Sequence, residues 1–259
     1  YLSAGTVSEV GAGVEDRAVG DRVVALFAAG SHAERRAVPA AMTWPIPDGL
    51  DAARAACVPV AFGTANECLL TLAEGQTVLI HGGAGGVGMA AIQLAKRAGA
   101  TVIATASSDE KLERLNALGL DHGISSATGD VAARVSELTG GRGVDLVVDP
   151  VGGRTLVDSV ALLAWRGTLV SVGMAARAGS TIAAHTLWSR NATLRGVSLA
   201  AAAVPEHARI HAAIATILER VARGELQVVI DRSFPLAEAA AAHAYVESRK
   251  AAGRVVITP

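Results

Sequence analysis

Two rhythms of apolar and polar residues divide this chain. Over residues 4–38 the apolar positions come in short, weakly alternating groups interrupted by glycine, the pattern of small half-buried strands joined by turns. Thr6–Val10 alternates weakly, Gly11-Ala12-Gly13 reads as a turn, and Val19-Gly20-Asp21-Arg22-Val23-Val24-Ala25-Leu26 reads as a turn entering a strand. Trp44-Pro45-Ile46-Pro47-Asp48-Gly49-Leu50 is stiffened by its prolines, which fix φ and remove amide donors, and reads as an extended connector between domains. Helical segments are expected from Asp51 to about Cys57 and from about Gly63 to Leu72.

From Thr77 the rhythm changes to strands alternating with helices. The pattern predicts strands at Thr77–His81, Thr101–Thr105, His122–Ile124, Val144–Asp149, Thr168–Val172 and near Thr193–Val197. It predicts helices between them at Val87–Arg97, Asp109–Leu118, Val131–Leu138 and Thr155–Leu163. Runs such as Leu146-Val147-Val148 are apolar on both faces, as buried parallel strands require. Such βαβ alternation predicts an α/β fold with a doubly wound parallel sheet. Beyond Ala200, Ile210, Ile214, Ile217, Leu218 and Val221 fall at helical spacing within a helix of about Glu206–Arg223. A strand at Val228–Asp231, a helix at Leu236–Ser248 and a closing strand at Arg254–Thr258 follow, and this tail is expected to complete the first β-domain.

The sharpest signal lies where the first buried strand meets glycine. Val78-Leu79-Ile80-His81-Gly82-Gly83-Ala84-Gly85-Gly86-Val87-Gly88 runs into the helical Met89-Ala90-Ala91-Ile92-Gln93-Leu94-Ala95-Lys96, and Gly83, Gly85 and Gly88 satisfy G-x-G-x-x-G. In this strand–turn–helix setting the glycines are expected to allow a tight turn, a close approach of backbone to pyrophosphate, and close helix–strand packing. The helix N-terminus adds free N–H groups and the positive end of a dipole.

Composition narrows the partners. With 51% hydrophobic and 18% charged residues over 259 positions, one large or two modest packed domains are expected and disorder is not. A net charge of −1 and 3% aromatic residues argue against nucleic acid or an anionic membrane as partner. Cys57 and Cys68 read as buried thiols suited to a reducing cytoplasm, too few for a metal cluster or a disulfide framework. No apolar run reaches the roughly 18 residues of a membrane span, and no signal peptide is visible. The chain opens at Tyr1 as if in the middle of a β-domain, so an N-terminal portion is expected to be missing.

The second strand speaks to the cofactor. A site for NAD places Asp or Glu about 20 residues beyond the first glycine, on the ribose 2′-OH. Here the strand ends in Ala104-Thr105-Ala106-Ser107-Ser108, and Asp109 already belongs to the next helix. Without that carboxylate, and with the Ser107 and Ser108 hydroxyls and the Lys111 charge at hand, a 2′-phosphate is accommodated. NADPH is therefore expected over NADH. Ser108 also suits a helix N-cap, compatible with either role.

These residues, with Asp145-Leu146-Val147-Val148-Asp149-Pro150-Val151-Gly152-Gly153, Gly167–Gly173, Val19–Val23, Phe234–Ala240 and Gly253–Ile257, closely resemble the medium-chain dehydrogenase/reductases, and best their quinone oxidoreductase branch. The resemblance implies a Rossmann dinucleotide-binding domain over residues 56–199 and a partial GroES-like substrate domain over residues 1–55 and 200–259. It places Thr64 near the nicotinamide, Gly86 and Val87 on the pyrophosphate, and Ser107 and Lys111 on the adenosine phosphate. It lines the strand ends over the cofactor with Val151, Gly152, Val172 and Gly173. Arg254 stands where a lysine is common, and Asn66 where an aromatic residue often follows Thr-Ala. Zinc-dependent members need a ligand near Val60 and a four-cysteine lobe, which this chain lacks; His32 and His81 are isolated, so no metal is expected. Relatives of this kind commonly dimerise through edge strands.

The expected reaction is hydride transfer from NADPH to a quinone or an activated C=C bond, without zinc. An enoyl-thioester reductase is the alternative enzyme, and a non-catalytic NADPH-binding sensor or structural protein the alternative from another class. No catalytic side chain is assigned from sequence. Asn66 and Asn191 are weak candidates for polar contacts, and structural roles suit both better.

Overall fold

A computed structural model describes residues 1–259. They form two compact units, one of Tyr1–Gly63 with Ala200–Pro259, the other of Thr64–Leu199.

The first unit opens with an antiparallel sheet of β1 (Leu2–Thr6), β2 (Arg22–Leu26) and β3 (Thr43–Pro45), in that spatial order. The first strand therefore precedes the expected Thr6–Val10. The presumed connector is in part β3: Trp44 pairs with Val24 and is buried. Pro45 is tolerated there because β3 is an edge and needs no donor on its outer side. Helix α1 (Ala52–Ala56) starts where the Asp51 carboxylate accepts the Arg54 amide at 2.8 Å. Helix α2 (Val58–Cys68) begins earlier than expected and carries the chain into the second unit. Pro59 lies in its first turn, where the missing N–H has no helical partner to lose.

The second unit is a six-stranded parallel sheet with spatial order β6-β5-β4-β7-β8-β9. Its elements in chain order are β4 (Thr77–Ile80), α3 (Gly86–Arg97), β5 (Thr101–Ala106), α4 (Asp109–Asn116), β6 (His122–Ser125), α5 (Val131–Leu138), β7 (Val144–Asp149), α6 (Arg154–Ser159), β8 (Leu163–Ser171) and β9 (Thr193–Gly196). Leu79 pairs with Ile103 on one side and Val147 on the other, and all three are closed from solvent with Leu163 and Leu169. Strand apolarity on both faces thus reports helices on both faces. Helix α6 stops at Ser159, tightening into one 3₁₀ turn, and β8 starts at Leu163 rather than Thr168. The segment Trp165-Arg166-Gly167, outside the expected strand, is a bulge in β8, with Arg166 at φ 60°.

The chain returns to the first unit through α7 (Leu199–Ala202) and α8 (His207–Ala222), whose buried stripe is Ile210, Ile214, Ile217, Leu218 and Val221. Within that unit the Trp44 ring stacks on His211 at 4.7 Å, and its indole N–H donates to the His211 carbonyl at 2.9 Å. Strand β10 (Ile230–Pro235), helix α9 (Ala239–Glu247) and strand β11 (Arg254–Thr258) follow. Strands β10 and β11 pair in parallel as a sheet of their own and do not extend β1–β3. No helix is long and apolar enough to cross a membrane.

Candidate functional site

The sheet of the second unit sets the site. From β4 the chain steps outward to β5 and β6, then crosses back to β7 on the other flank. The reversal leaves a crevice beyond the carboxyl ends of β4 and β7, the place where open α/β sheets take ligands.

One wall is the glycine turn after β4. Gly82, which precedes the three motif glycines, holds the left-handed conformation, at φ 59°. Gly83 is demanded by proximity: its amide donates to the Thr105 carbonyl at 2.7 Å, and a Cβ there would lie 2.9 Å from that of Ala104. A Cβ on Gly88 would lie 2.5 Å from the Gly82 carbonyl oxygen, so α3 closes on the turn through this residue. The α3 N-cap is Gly85, with no side chain to accept a first-turn amide. The N–H groups of Gly86 and Val87 are the helix's first donors.

The second wall follows β7 and β8. Gly152 and Gly153 take φ of 73° and 60°, turning the chain sharply after Asp149 and Pro150. The Val172 amide donates to the Asp149 carbonyl at 3.0 Å, and Ala176 to the Val151 carbonyl at 2.8 Å, so the two loops are zipped together. A Cβ on Gly173 would fall 2.5 Å from the Pro150 carbonyl oxygen. Val151, Gly152, Val172 and Gly173 are thereby gathered. A Cβ on Gly82 would contact Val151 Cγ2 at 3.5 Å, so both walls meet.

At the end of β5, Ser107 is exposed and Ser108 caps α4, its hydroxyl oxygen accepting the Lys111 amide at 3.4 Å. Thr64 is buried in α2. Arg254 belongs to the first unit, on β11; burial pushes the pKa of the Cys57 thiol up, partly offset by the charge of Arg254. Burial likewise takes Cys68 up to about 12 against the opposing charge of Arg195, so neither cysteine offers a thiolate. Asn191 closes a 3₁₀ helix in the left-handed region at φ 47°, a structural role; Asn66 is half-buried on α2.

What sequence reasoning missed is a buried polar core under the crevice. His81 at the end of β4 touches the Thr105 hydroxyl through Nδ1 at 3.2 Å and the Ser159 hydroxyl through Nε2 at 2.9 Å. Burial pulls its pKa below the usual histidine value, while Asp149 opposes this. Asp149 is fully closed from solvent: Oδ1 accepts the amides of Val151 at 2.6 Å and Gly152 at 3.0 Å, and Oδ2 has no partner. The available signal was polar residues placed at the very ends of apolar strands.

Residues 86–219 match the zinc-binding dehydrogenase family. The chain is 34% identical over 266 residues to 2-haloacrylate reductase of Burkholderia, covering 80% of it. The chain belongs to the medium-chain dehydrogenase/reductase superfamily. Its similarity to Escherichia coli quinone oxidoreductase complexed with NADPH is 29% identity at a TM-score of 0.94, over all of this chain and 81% of that one. The CurK enoyl reductase superposes at a TM-score of 0.90 with 30% identity, over all of this chain and 78% of that one. These matches put this oxidoreductase in the quinone oxidoreductase-like branch, with a Rossmann-type α/β sheet and a GroES-like domain. Phthioceranic/hydroxyphthioceranic acid synthase of Mycobacterium tuberculosis is 35% identical over 98% of this chain, which spans only 12% of that protein's length. The family's description implies zinc, yet nowhere do three side chains from His, Cys, Asp and Glu gather to hold a metal ion. The residues present do not fit a zinc centre.

Proposed function

We propose that this chain is an NADPH-dependent reductase acting on an electron-poor C=C bond conjugated to a carbonyl, quinones included, without zinc. The crevice carries the reading. Its glycine-lined walls meet where the sheet reverses, and the adjoining end of β5 offers Ser107, Ser108 and Lys111 with no carboxylate before Asp109. A dinucleotide fits this cradle: Gly83 and Gly85, whose own amides are bonded within the fold, let the pyrophosphate approach the turn, and Gly86 and Val87 meet it with backbone N–H groups. Ser107, Ser108 and Lys111 take the 2′-phosphate, where a carboxylate would repel it. Val151, Gly152, Val172 and Gly173 support the nicotinamide half, with Thr64 assigned to the same cofactor.

The bound dinucleotide would supply the hydride, and the chain's task is to orient it and exclude water. The acceptor class rests on what relatives share. The names quinone oxidoreductase, 2-haloacrylate reductase and enoyl reductase point to compounds that share unsaturated carbon beside a carbonyl or carboxylate. A second reading, an enoyl-thioester reductase, is favoured by near-complete coverage of this chain by a segment of a mycobacterial acid synthase. Pairing of two copies through the exposed β9 edge belongs to the same proposal.

The test is loss of reduced-nicotinamide absorbance with quinones, 2-haloacrylates, enones and enoyl thioesters, each with NADPH and NADH. Turnover of an electron-poor alkene with NADPH at least tenfold faster than with NADH is expected. Tight NADPH binding without turnover of any acceptor would make the protein a sensor or scaffold, and failure to bind either nucleotide would sink the reading.

A further inference from the structure

Beneath the crevice, one buried chain of hydrogen bonds joins its two walls, and the chemistry of the donors fixes which way every proton points. The Ser159 hydroxyl lies 2.7 Å from the Thr155 carbonyl, which can only accept. The single hydroxyl proton of Ser159 is spent there, so toward His81 Nε2 at 2.9 Å that oxygen accepts and Nε2 carries hydrogen. A neutral imidazole then has its lone pair on Nδ1, and the Thr105 hydroxyl at 3.2 Å must donate to it. Having given its proton to His81, Thr105 Oγ1 faces the Gly82 amide at 3.3 Å as an acceptor. The order is Gly82 N–H to Thr105, Thr105 O–H to His81, His81 N–H to Ser159, Ser159 O–H to the Thr155 carbonyl. Four consecutive bonds run in one direction with no group left over, the arrangement in which hydrogen bonds reinforce one another.

The ends of this chain are what matter. Gly82 begins the turn that leads to α3, and Ser159 and Thr155 sit on α6, which follows the Gly152–Gly153 turn of the other wall. Thr105 grips the glycine turn twice, its carbonyl taking the Gly83 amide at 2.7 Å and its hydroxyl the Gly82 amide. A valine in its place would keep the carbonyl and lose the hydroxyl. The Gly82 amide and His81 Nδ1 would then face each other's empty side without a partner.

We infer that Thr105 is a positioning residue for the dinucleotide: its hydroxyl, oriented by neutral His81 and Ser159, holds the glycine turn in register with the opposite wall. This rests on the proposed NADPH function. Thr105 touches no reacting atom, so its removal acts on cofactor binding and spares the hydride step.

The experiment measures NADPH affinity by fluorescence, KM for NADPH and kcat in the intact chain for wild type, Thr105→Val, Thr105→Ser and Ser159→Ala. It is paired with ¹⁵N chemical shifts of the His81 ring in wild type. Loss of one neutral hydrogen bond in a buried turn corresponds to about a fivefold weaker dissociation constant. That rise in Kd and KM is expected for T105V with kcat kept within twofold, a smaller rise for S159A, and near-wild-type affinity for T105S. The ring shifts are expected to report hydrogen on Nε2 alone. T105V with unchanged KM but a lowered melting temperature would mark the hydroxyl as merely structural and overturn the inference. So would a His81 ring protonated on Nδ1, which decides the matter if T105V does not fold. A wild-type chain that fails to bind NADPH at all refutes the functional reading, and this inference with it; wild-type binding with an indifferent T105V refutes this inference alone.

Discussion

Helices α3 and α6, which leave the two central strands β4 and β7, begin differently from α4 and α5, which leave β5 and β6. The outer pair close their own first turns: Ser108 and Asp130 accept the amides three residues on, and α4 adds Asp109 and Glu110 against the positive helix end. The inner pair start at Gly85 and Gly153, with no side-chain cap and no acid in the first turn. Local stability and availability are thus traded within one sheet. A capped helix has spent one of its free donors on itself, whereas an uncapped one leans on packing and keeps them for a guest. The division falls at the strand-order reversal, which is why the inner pair and not the outer pair frame the crevice.

The hardest blow to this contrast is Gly88→Ala. A Cβ would sit 2.5 Å from the Gly82 carbonyl oxygen and 2.7 Å from the Gly83 Cα, both backbone atoms that cannot swing aside. Helix α3 must back away from its strand. We expect a loss of about 3 kcal/mol or more in denaturant unfolding and no measurable NADPH binding. Wild-type-like affinity would show that the bare helix end is not where the nucleotide sits.

Lys111→Gln probes the outer helix at its one charged contact to the proposed 2′-phosphate. Removing a charge-assisted bond costs about 2 kcal/mol, so NADPH affinity should drop by more than tenfold while NADH affinity stays within twofold. Equal losses for both nucleotides would remove Lys111 from the 2′-phosphate and assign it to the fold.

These two positions differ in how plainly the sequence announces them. Gly88 is legible because the motif, the apolar strand before it and the helical spacing after it agree. Strands buried on both faces are legible for the same reason, and β7 at Val144–Asp149 and α5 at Val131–Leu138 fall as the pattern places them. What fails is anything decided by partners far along the chain. Trp44 looks like part of a stiff linker because its partner His211 is on a distant helix. The bulge at Arg166 falls outside the expected strand because only the pairing of Leu163 and Thr168 with β7 reveals it as part of β8. His81 looks isolated because Thr105 and Ser159, which satisfy it, come from other elements. Polar pairs carry no periodicity, so spacing cannot find them.

His81 gives the comparison a pH dependence on the inner side. Burial holds its pKa below the unfolded value near 6.5, with Asp149 the charged group opposing from β7. Between the folded and unfolded pKa values the unfolded chain binds the extra proton, so stability is full above the unfolded value and falls as the medium is acidified through it. One proton sets the limit, a slope of at most ~1.4 kcal/mol per pH unit. Urea midpoints at pH 7.5, 6.5 and 5.5 should decline, with a shallower decline in His81→Asn. An identical decline in that variant would assign the acid sensitivity elsewhere.

Ser108→Ala makes the smallest and most diagnostic change. It leaves the Lys111 amide without its acceptor and makes α4 resemble α3 at its start. Caps of this kind contribute about 1 kcal/mol, and Ser108→Gly should recover most of that because glycine frees the amide to water. If Ser108 acts only as a cap, the alanine variant lowers the melting temperature while NADPH and NADH affinities keep their ratio. If its hydroxyl also reaches the 2′-phosphate, the ratio falls and glycine restores stability without restoring the preference. The glycine variant therefore separates the helix's need for an acceptor from the nucleotide's need for a donor, two demands that meet on one oxygen atom.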